Sequence, residues 1–185
     1  MTAPAFVVAL LGAESTGKTT LAETLGAALA ARGERVVVVA EALREFCALH
    51  ARTPRRDEQA GIAAEQTRRI DAAAAVADVV VADTTALMVA VYSDFVFADN
   101  ALYAEAEQAQ RRCQLTLVAA LDVPWHADGL QRDGAHVRAP VEALVRASLA
   151  RAGIATVTVG GLGEERLVNA LRAVDACRSQ APRPR

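Results

Sequence analysis

The chain of 185 residues contains a single lysine, Lys18, although it carries 20 basic residues, so arginine supplies nearly all of its positive charge. Cysteine is also scarce, because only Cys47, Cys113 and Cys177 occur and they lie far apart. This spacing argues against a disulfide scaffold and against a closely spaced cysteine metal site. We therefore expect three reduced thiols and a cytoplasmic location.

The chain also lacks excess positive charge and long apolar segments, and both absences limit the partners that it can bind. The net charge of -2 at pH 7 gives no basic footprint for nucleic acid or for an anionic membrane. No segment approaches the ~20 apolar residues of a membrane helix, and the short N-terminal apolar run lacks a basic flank, so it predicts a strand rather than a signal peptide. We expect one domain over residues 1–178 and a disordered tail over 179–185.

Short apolar runs alternate with amphipathic helical patterns along the chain. Runs that are apolar at nearly every position are typical of strands buried on both faces, and their alternation with helices predicts a doubly wound parallel α/β sheet. A break in the helical stretch 84–112 is expected near residues 92–100, and the last long helix before the fifth strand is expected to start at Pro140. The five predicted strands cover residues 5–11, 35–40, 78–83, 113–122 and 154–159.

The lone lysine lies in a glycine-bounded stretch between the first strand and the first helix. Residues 12–19 read GAESTGKT and fit G-x-x-x-x-G-K-[ST] at every fixed position. The two glycines let backbone N–H groups curl around a phosphate, and the helix N-terminus adds partial positive charge. Lys18 would neutralise the β- and γ-phosphates of ATP, and Thr19 would offer its hydroxyl to Mg²⁺. The predicted nucleotide-binding residues are Gly12, Ala13, Glu14, Ser15, Thr16, Gly17, Lys18, Thr19 and Thr20.

A carboxylate at the end of a neighbouring strand should complete the Mg²⁺ site. Asp83 and Asp122 both follow apolar runs, and the strand order 2-3-1-4-5 of small phosphate-loop (P-loop) kinases places both runs beside the first strand. We favour Asp83, because Asp122 leads directly into Pro124 and a loop. A GTPase of the Ras type is disfavoured, since its guanine-reading N-K-x-D motif needs a second lysine. A small-molecule kinase fits these features best.

Candidate residues for the acceptor side come from the second strand and from a loop before the fifth. Glu41 ends the second strand, where a carboxylate could accept the proton of an acceptor hydroxyl, and Arg44 follows one helical turn later. The alternative for Glu41 is an acid that merely favours a helix N-terminus. The segment 123–139 predicts a mobile lid, in which Arg132 and Arg138 could close over the transferred phosphoryl group.

Five segments in this order, GAESTGKTTLAE, AEALREF, AAEQ, VADTT and DVPWHADGL, resemble the ribosylnicotinamide kinase domain of NadR-like NAD-salvage proteins. The resemblance implies ATP-dependent phosphorylation of the 5′-hydroxyl of nicotinamide riboside to nicotinamide mononucleotide. It assigns Asp83 to the metal or to the acceptor hydroxyl. The substrate-binding residues that it implies are Glu41, Arg44, Gln66, Tyr92, Trp125 and Asp128.

Trp125, the only tryptophan, could stack on the pyridinium ring, a cation–π contact worth ~0.5–2 kcal/mol, or could simply pack the lid. The family often has an arginine one place before Arg132, so the identity of the lid arginine stays open. Many NadR-like proteins carry a nucleotidyltransferase domain and a DNA-binding segment before the kinase, and we expect neither here because the phosphate loop starts at residue 12.

Two other interpretations remain: a kinase for another nucleoside or small metabolite, and a nucleotide-binding regulatory module. The sequence leaves open the catalytic base, the choice of ATP or GTP, regulation by NAD, and the oligomeric state, a homo-oligomer included.

Overall fold

A computed structural model of the chain describes residues 4–125 and 134–180. Within these ranges, parallel strands alternate with α-helices, and short 3-10 helices occur at Arg56–Glu58 and Ala135–Val137. The strands are β1 (Phe6–Leu11), β2 (Val36–Val39), β3 (Val79–Asp83), β4 (Leu115–Ala119) and β5 (Val157–Val159). The helices are α1 (Lys18–Ala30), α2 (Ala42–His50), α3 (Gln59–Ala74), α4 (Ala86–Phe97), α5 (Tyr103–Gln110), α6 (Arg138–Arg151) and α7 (Glu164–Gln180).

The strands form one parallel sheet in the order β2-β3-β1-β4-β5, which confirms the predicted fold class and strand order. In its register Leu10 pairs with Asp83, and Val39 pairs with Ala82. The carboxyl ends of β1, β2 and β3 therefore meet at one edge of the sheet. The phosphate loop, Glu41 and Asp83 follow or end these three strands, so the topology alone gathers them.

Helices cover both faces of the sheet, which is why its central strands are mainly apolar. On one face, Leu25 of α1 and Val174 of α7 pack with the side chains of β1, β3 and β4. On the other face, Leu87 of α4 and Val145 of α6 belong to a second buried cluster that also includes residues of α2, α3 and α5. None of the helices in the described part has the length and hydrophobicity that a membrane span requires.

The helix boundaries differ in detail from the predictions. Helix α4 continues through Phe97 and ends at Ala98, whose φ of 52° is left-handed, so the expected break occurs only at the end of the stretch 92–100. Residues Ala86 to Val91 are all buried, and a helix buried on all sides has no periodicity from which to read its extent. Helix α7 runs through Gln180, two residues into the predicted tail, and residues 181–185 lie outside the described ranges.

Two boundary shifts affect the candidate site. Strand β4 ends at Ala119, so Asp122 lies beyond the strand that it was predicted to end. Helix α6 begins at Arg138, before Pro140, because proline is tolerated in the first turn of a helix. Arg138 thus lies on a helix, not in the predicted mobile loop.

Candidate functional site

The phosphate loop joins β1 to α1 through backbone conformations that suit glycine. Gly12 has φ 142°, and Gly17, the N-cap of α1, has φ 76°. A Cβ on Gly12 would lie 3.3 Å from both the Cβ and the carbonyl oxygen of Ala119, so the loop packs closely against the end of β4. Helix α1 begins at Lys18, within the loop motif, so its N-terminus faces the loop, as an anion site requires.

Lys18 is buried inside this loop. Its Nζ donates a hydrogen bond to the carbonyl oxygen of Ala13 at 2.7 Å, and the Thr16 hydroxyl donates to the same oxygen at 2.8 Å. Burial lowers the pKa of Lys18, whereas the carboxylates of Glu41 and Asp83 oppose that shift. The ammonium is thus held in poor contact with water, where added phosphate charge would stabilise it.

The end of β3 supplies oxygen atoms beside the first turn of α1. The Thr19 hydroxyl donates to Oδ2 of Asp83 at 2.6 Å, and Oδ1 of Asp83 is buried with no hydrogen-bond partner among the described residues. A hydroxyl and a carboxylate suit Mg²⁺, which usually completes its shell with phosphates and waters. The described residues include no group of three His, Cys, Asp or Glu that could hold a metal by themselves. These residues therefore fit Mg²⁺ bound together with a nucleotide.

Asp122, the alternative metal residue, is engaged elsewhere. Its carboxylate forms an ion pair with Arg166 and accepts a hydrogen bond from the Gly161 N–H at 2.7 Å. These contacts tie it to the loop after β5, whereas Asp83 contacts Thr19 of the phosphate-loop helix directly. The geometry favours Asp83 for the metal.

Glu41 ends the connection from β2 and is the N-cap residue of α2, yet its side chain makes no capping hydrogen bond. Burial raises the pKa of Glu41, and the charge of Asp83 raises it further, against the opposing charges of Lys18 and Arg44. Arg44 lies nearby, with its Nε 3.4 Å from Oε2 of Glu41. A buried carboxylate with a raised pKa that is coupled to the phosphate-loop lysine is suited to accept a proton, which a simple capping acid is not.

Gln66 connects the two carboxylate-bearing segments through their backbones. Its Oε1 accepts from the Ala42 N–H at 2.7 Å, and its Nε2 donates to the Thr84 carbonyl at 3.3 Å. Thr84 has φ 70°, a strained conformation for a β-branched residue. The fully buried Gln66 therefore holds in place the residues next to Glu41 and Asp83, and its predicted substrate contact stays a prediction.

Tyr92 is half-buried and lines a cavity of about 350 Å³ between α2, α4 and the segment before α3. Leu43, Gln59 and Phe97 form other parts of its wall. Gln59 is only 4% exposed, and its Oε1 has no hydrogen-bond partner among the described residues. Thr53, Arg55 and Arg56 also line the cavity, and within it the buried Gln59 acceptor without a partner points to a ligand that donates a hydrogen bond. Sequence reasoning missed Gln59, because a polar residue at a helix start is ordinary.

The predicted lid residues are only partly described. Arg138 is 8% exposed and donates from Nη1 to the Val123 carbonyl at 2.9 Å, while its Nε and Nη2 are buried without a partner among the described residues. Trp125 is half-buried. Asp128 and Arg132 lie outside the described residues. Of the two predicted lid arginines, Arg138 is therefore the one with visible unused donors.

Comparisons with known proteins agree with this fold. The chain is similar in structure to NadR protein in complex with NR, at a TM-score of 0.76 and 20% identity, over 98% of this chain and 52% of that one. NadR protein in complex with NAD and AMP-PNP gives a TM-score of 0.73 at 20% identity, over 98% and 51%. Thymidylate kinase from Ehrlichia chaffeensis gives a TM-score of 0.67 at 11% identity, over 94% and 99%. The chain spans about half the length of the NadR structures, and at these identities the likeness shows a shared fold.

The sequence comparisons give the family. No curated protein matches the chain in sequence. The model of a family described as an AAA domain matches residues 7–166, which include the phosphate loop, all five strands and the start of the last helix. The P-loop fold is thus confirmed, the structural likeness to NadR supports the resemblance noted in the sequence, and the chain belongs to this AAA-domain family.

Proposed function

We propose that the chain is a small-molecule kinase that transfers the γ-phosphoryl group of ATP to the 5′-hydroxyl of nicotinamide riboside, giving nicotinamide mononucleotide. The observation that carries the proposal is the convergence of Lys18, Asp83 and Glu41 at one edge of the sheet. A loop that only binds a nucleotide with its metal needs the first two, whereas transfer to an attacking hydroxyl needs a further group that takes its proton. The buried Glu41, with its raised pKa, is the additional group that an acceptor hydroxyl requires.

Each residue has a role in moving charge and a proton. The acceptor oxygen bonds to the γ-phosphorus while the bond from that phosphorus to the β-phosphate oxygen breaks, and Glu41 takes the hydroxyl proton. Lys18 stabilises the charge that develops on the β- and γ-phosphates. Arg138 offers its two unused donors to the transferred group. Thr19 and Asp83 would hold Mg²⁺, which neutralises phosphate charge when bound.

The acceptor is inferred from the NadR resemblance and from the position of the cavity lined by Tyr92. The structural neighbour bound to NR supports nicotinamide riboside. Tyr92 lies about 9 Å along α4 from Ala86, near the end of β3, and this separation suits a nucleoside whose hydroxyl is at the carboxylates and whose ring is in the cavity. Gln59 would then accept from the ring's carboxamide, while Trp125 and Asp128 would act on the ring from the lid side. A kinase for another nucleoside or nucleotide is the second candidate, favoured by the likeness to thymidylate kinase.

The test is ATP consumption by the purified chain with Mg²⁺, in separate reactions with nicotinamide riboside, uridine, cytidine, adenosine, thymidine and no acceptor, with product masses recorded. We expect turnover only with nicotinamide riboside, and none in Lys18→Ala. Arg112→Ala is the matched control, because Arg112 is an exposed cation at the opposite edge of the sheet. Turnover with a different acceptor would contradict nicotinamide riboside as the substrate. ATP hydrolysis at the same rate with and without every acceptor would contradict kinase activity and would favour the nucleotide-binding regulatory module.

A further inference from the structure

The guanidinium of Arg166 is buried like that of Arg138, but it lies against the phosphate loop, and the proposed reaction does not use it. Arg166, on α7, is 4% exposed. Its Nη1 donates to the carbonyl oxygen of Thr16 in the phosphate loop, and its Nε donates to the Gly161 carbonyl at 2.8 Å. Its Nη2 pairs with the Asp122 carboxylate. One planar side chain therefore joins three segments that are far apart in sequence.

Asp122 and the glycines after β5 complete this junction. The second carboxylate oxygen of Asp122 accepts a hydrogen bond from the Gly161 N–H. Arg166 and Asp122 therefore bind the carbonyl and the N–H of the same residue, Gly161. A Cβ on Gly160 would lie 2.9 Å from Oδ2 of Asp122, and Gly161 has φ 94°. Asn169 adds a hydrogen bond to the Gly160 carbonyl at 3.1 Å. The close approach of this loop to Asp122 thus depends on glycine.

The junction forms one wall of a cavity of about 460 Å³ beside the N-terminus of α1. Gly17 and Thr20 contribute the phosphate-loop side of the cavity, and Val123, Leu162 and Leu167 contribute apolar surface. A mainly apolar cavity that opens beside a phosphate loop is suited to the nucleoside part of a triphosphate. Arg166 belongs to its lining, but its nitrogen atoms are all engaged by the protein.

We propose that Arg166, with Asp122 as its counter-ion, is a positioning residue for the donor nucleotide. It holds the loop after β5 at a fixed distance from Thr16, so the phosphates and the nucleoside of ATP meet one prearranged surface. Prearrangement lowers the ordering cost of binding, and the planar fork of arginine satisfies three acceptors that the single ammonium of lysine would satisfy poorly. This inference rests on the proposed use of ATP as donor.

The test measures the dissociation constants of ATP and of inorganic tripolyphosphate by calorimetry, with no acceptor present. In the wild type we expect ATP to bind more tightly than tripolyphosphate, because only ATP uses the nucleoside cavity. In Arg166→Ala we expect the Kd of ATP to rise by about tenfold or more, towards that of tripolyphosphate, whose own Kd changes less. Arg166→Lys should recover little of the ATP affinity that Arg166→Ala loses. The Kd of Asp122→Asn for ATP should lie between those of the wild type and Arg166→Ala.

Arg178→Ala is the matched control, because Arg178 lies on the same helix and pairs with Glu34 away from the cavity. We expect it to leave both dissociation constants unchanged. Steady-state kinetics give a second readout, in which Arg166→Ala raises the KM for ATP and leaves the KM for the acceptor within about threefold. If Arg166→Ala does not fold, Asp122→Asn carries the same comparison.

An ATP Kd within twofold of the wild type in folded Arg166→Ala and Asp122→Asn would overturn the inference, even with a lower melting temperature. An equal rise in both dissociation constants would also overturn it, because the defect would then lie in the phosphate loop alone. If the wild type binds ATP and shows the expected change but does not phosphorylate nicotinamide riboside, the acceptor is wrong and the role of Arg166 stands.

Discussion

Replacing Glu41 by glutamine should separate activity from stability. As the proposed base, Glu41 takes the acceptor proton, and general base catalysis typically contributes 10²–10⁴-fold to a rate. We therefore expect Glu41→Gln to lower kcat by roughly 10²–10⁴-fold, about 3–5 kcal/mol of barrier, with little change in the KM for ATP. Initial rates at saturating ATP and acceptor give kcat directly.

The same substitution should stabilise the fold at neutral and higher pH. Burial and the charge of Asp83 raise the pKa of Glu41 above 4.5 in the folded state, so the folded protein holds this proton more tightly than the unfolded chain does. Stability from this group is then present at low pH and is lost as the pH rises through the folded pKa. Glutamine imitates the protonated acid at every pH, so the advantage of the variant should grow as the pH rises above 4.5 and level off above the folded pKa of Glu41.

Glu45→Gln is the control for both measurements, since Glu45 lies on the same helix but is exposed and pairs with Arg69. We expect it to keep normal activity and to change the free energy of unfolding by less than ~1 kcal/mol. The assignment of Glu41 as a buried catalytic base would be refuted if Glu41→Gln retained more than half of the wild-type kcat. It would also be refuted if the variant lost stability relative to the wild type as the pH rose.

Three further substitutions test the supporting geometry. Gly12→Ala should lower the free energy of unfolding by ~1–3 kcal/mol in urea denaturation, because the residue has φ 142° and its Cβ would crowd Ala119; unchanged stability would contradict the close packing of the loop. Gln66→Leu should cost ~1–3 kcal/mol in the same assay, since it leaves the buried Ala42 N–H without its acceptor, and should also lower kcat. Asp83→Asn should raise the Mg²⁺ concentration for half-maximal activity by roughly ten- to a hundredfold. An unchanged Mg²⁺ titration would contradict the assignment of this carboxylate to the metal.

The sheet and the phosphate loop could be predicted from the sequence because both are encoded locally. Apolar strands covered on both faces produce short continuous apolar runs, and the loop needs glycines and a lysine at fixed spacing. Glu41 and Asp83 were found for the same reason, since each lies where a predicted strand ends and the carboxyl ends of parallel strands share one edge. Asp122 remained an alternative to the favoured Asp83, because apolar residues continue beyond the end of β4 at Ala119.

Residues whose roles depend on distant contacts left no local signal. Arg166 reaches Thr16 across most of the chain, and in the sequence it is an ordinary arginine near the start of an amphipathic helix. Gln59 likewise starts a helix, and only its burial without a hydrogen-bond partner for Oε1 sets it apart. Gln66 was found by resemblance, but its hydrogen bonds to two backbone segments were not, since they join α3 to the first residue of α2 and to the residue after β3.

The central claim is that the γ-phosphoryl group goes to a nucleoside hydroxyl and not to water, and the most direct test follows that group. We would incubate the chain with Mg²⁺, nicotinamide riboside and ATP labelled in its γ-phosphoryl oxygens, and record by mass spectrometry where the label goes. We predict that labelled nicotinamide mononucleotide forms in step with ADP and that Lys18→Ala forms neither. Label that appears only in inorganic phosphate, with the riboside unchanged, would contradict the account.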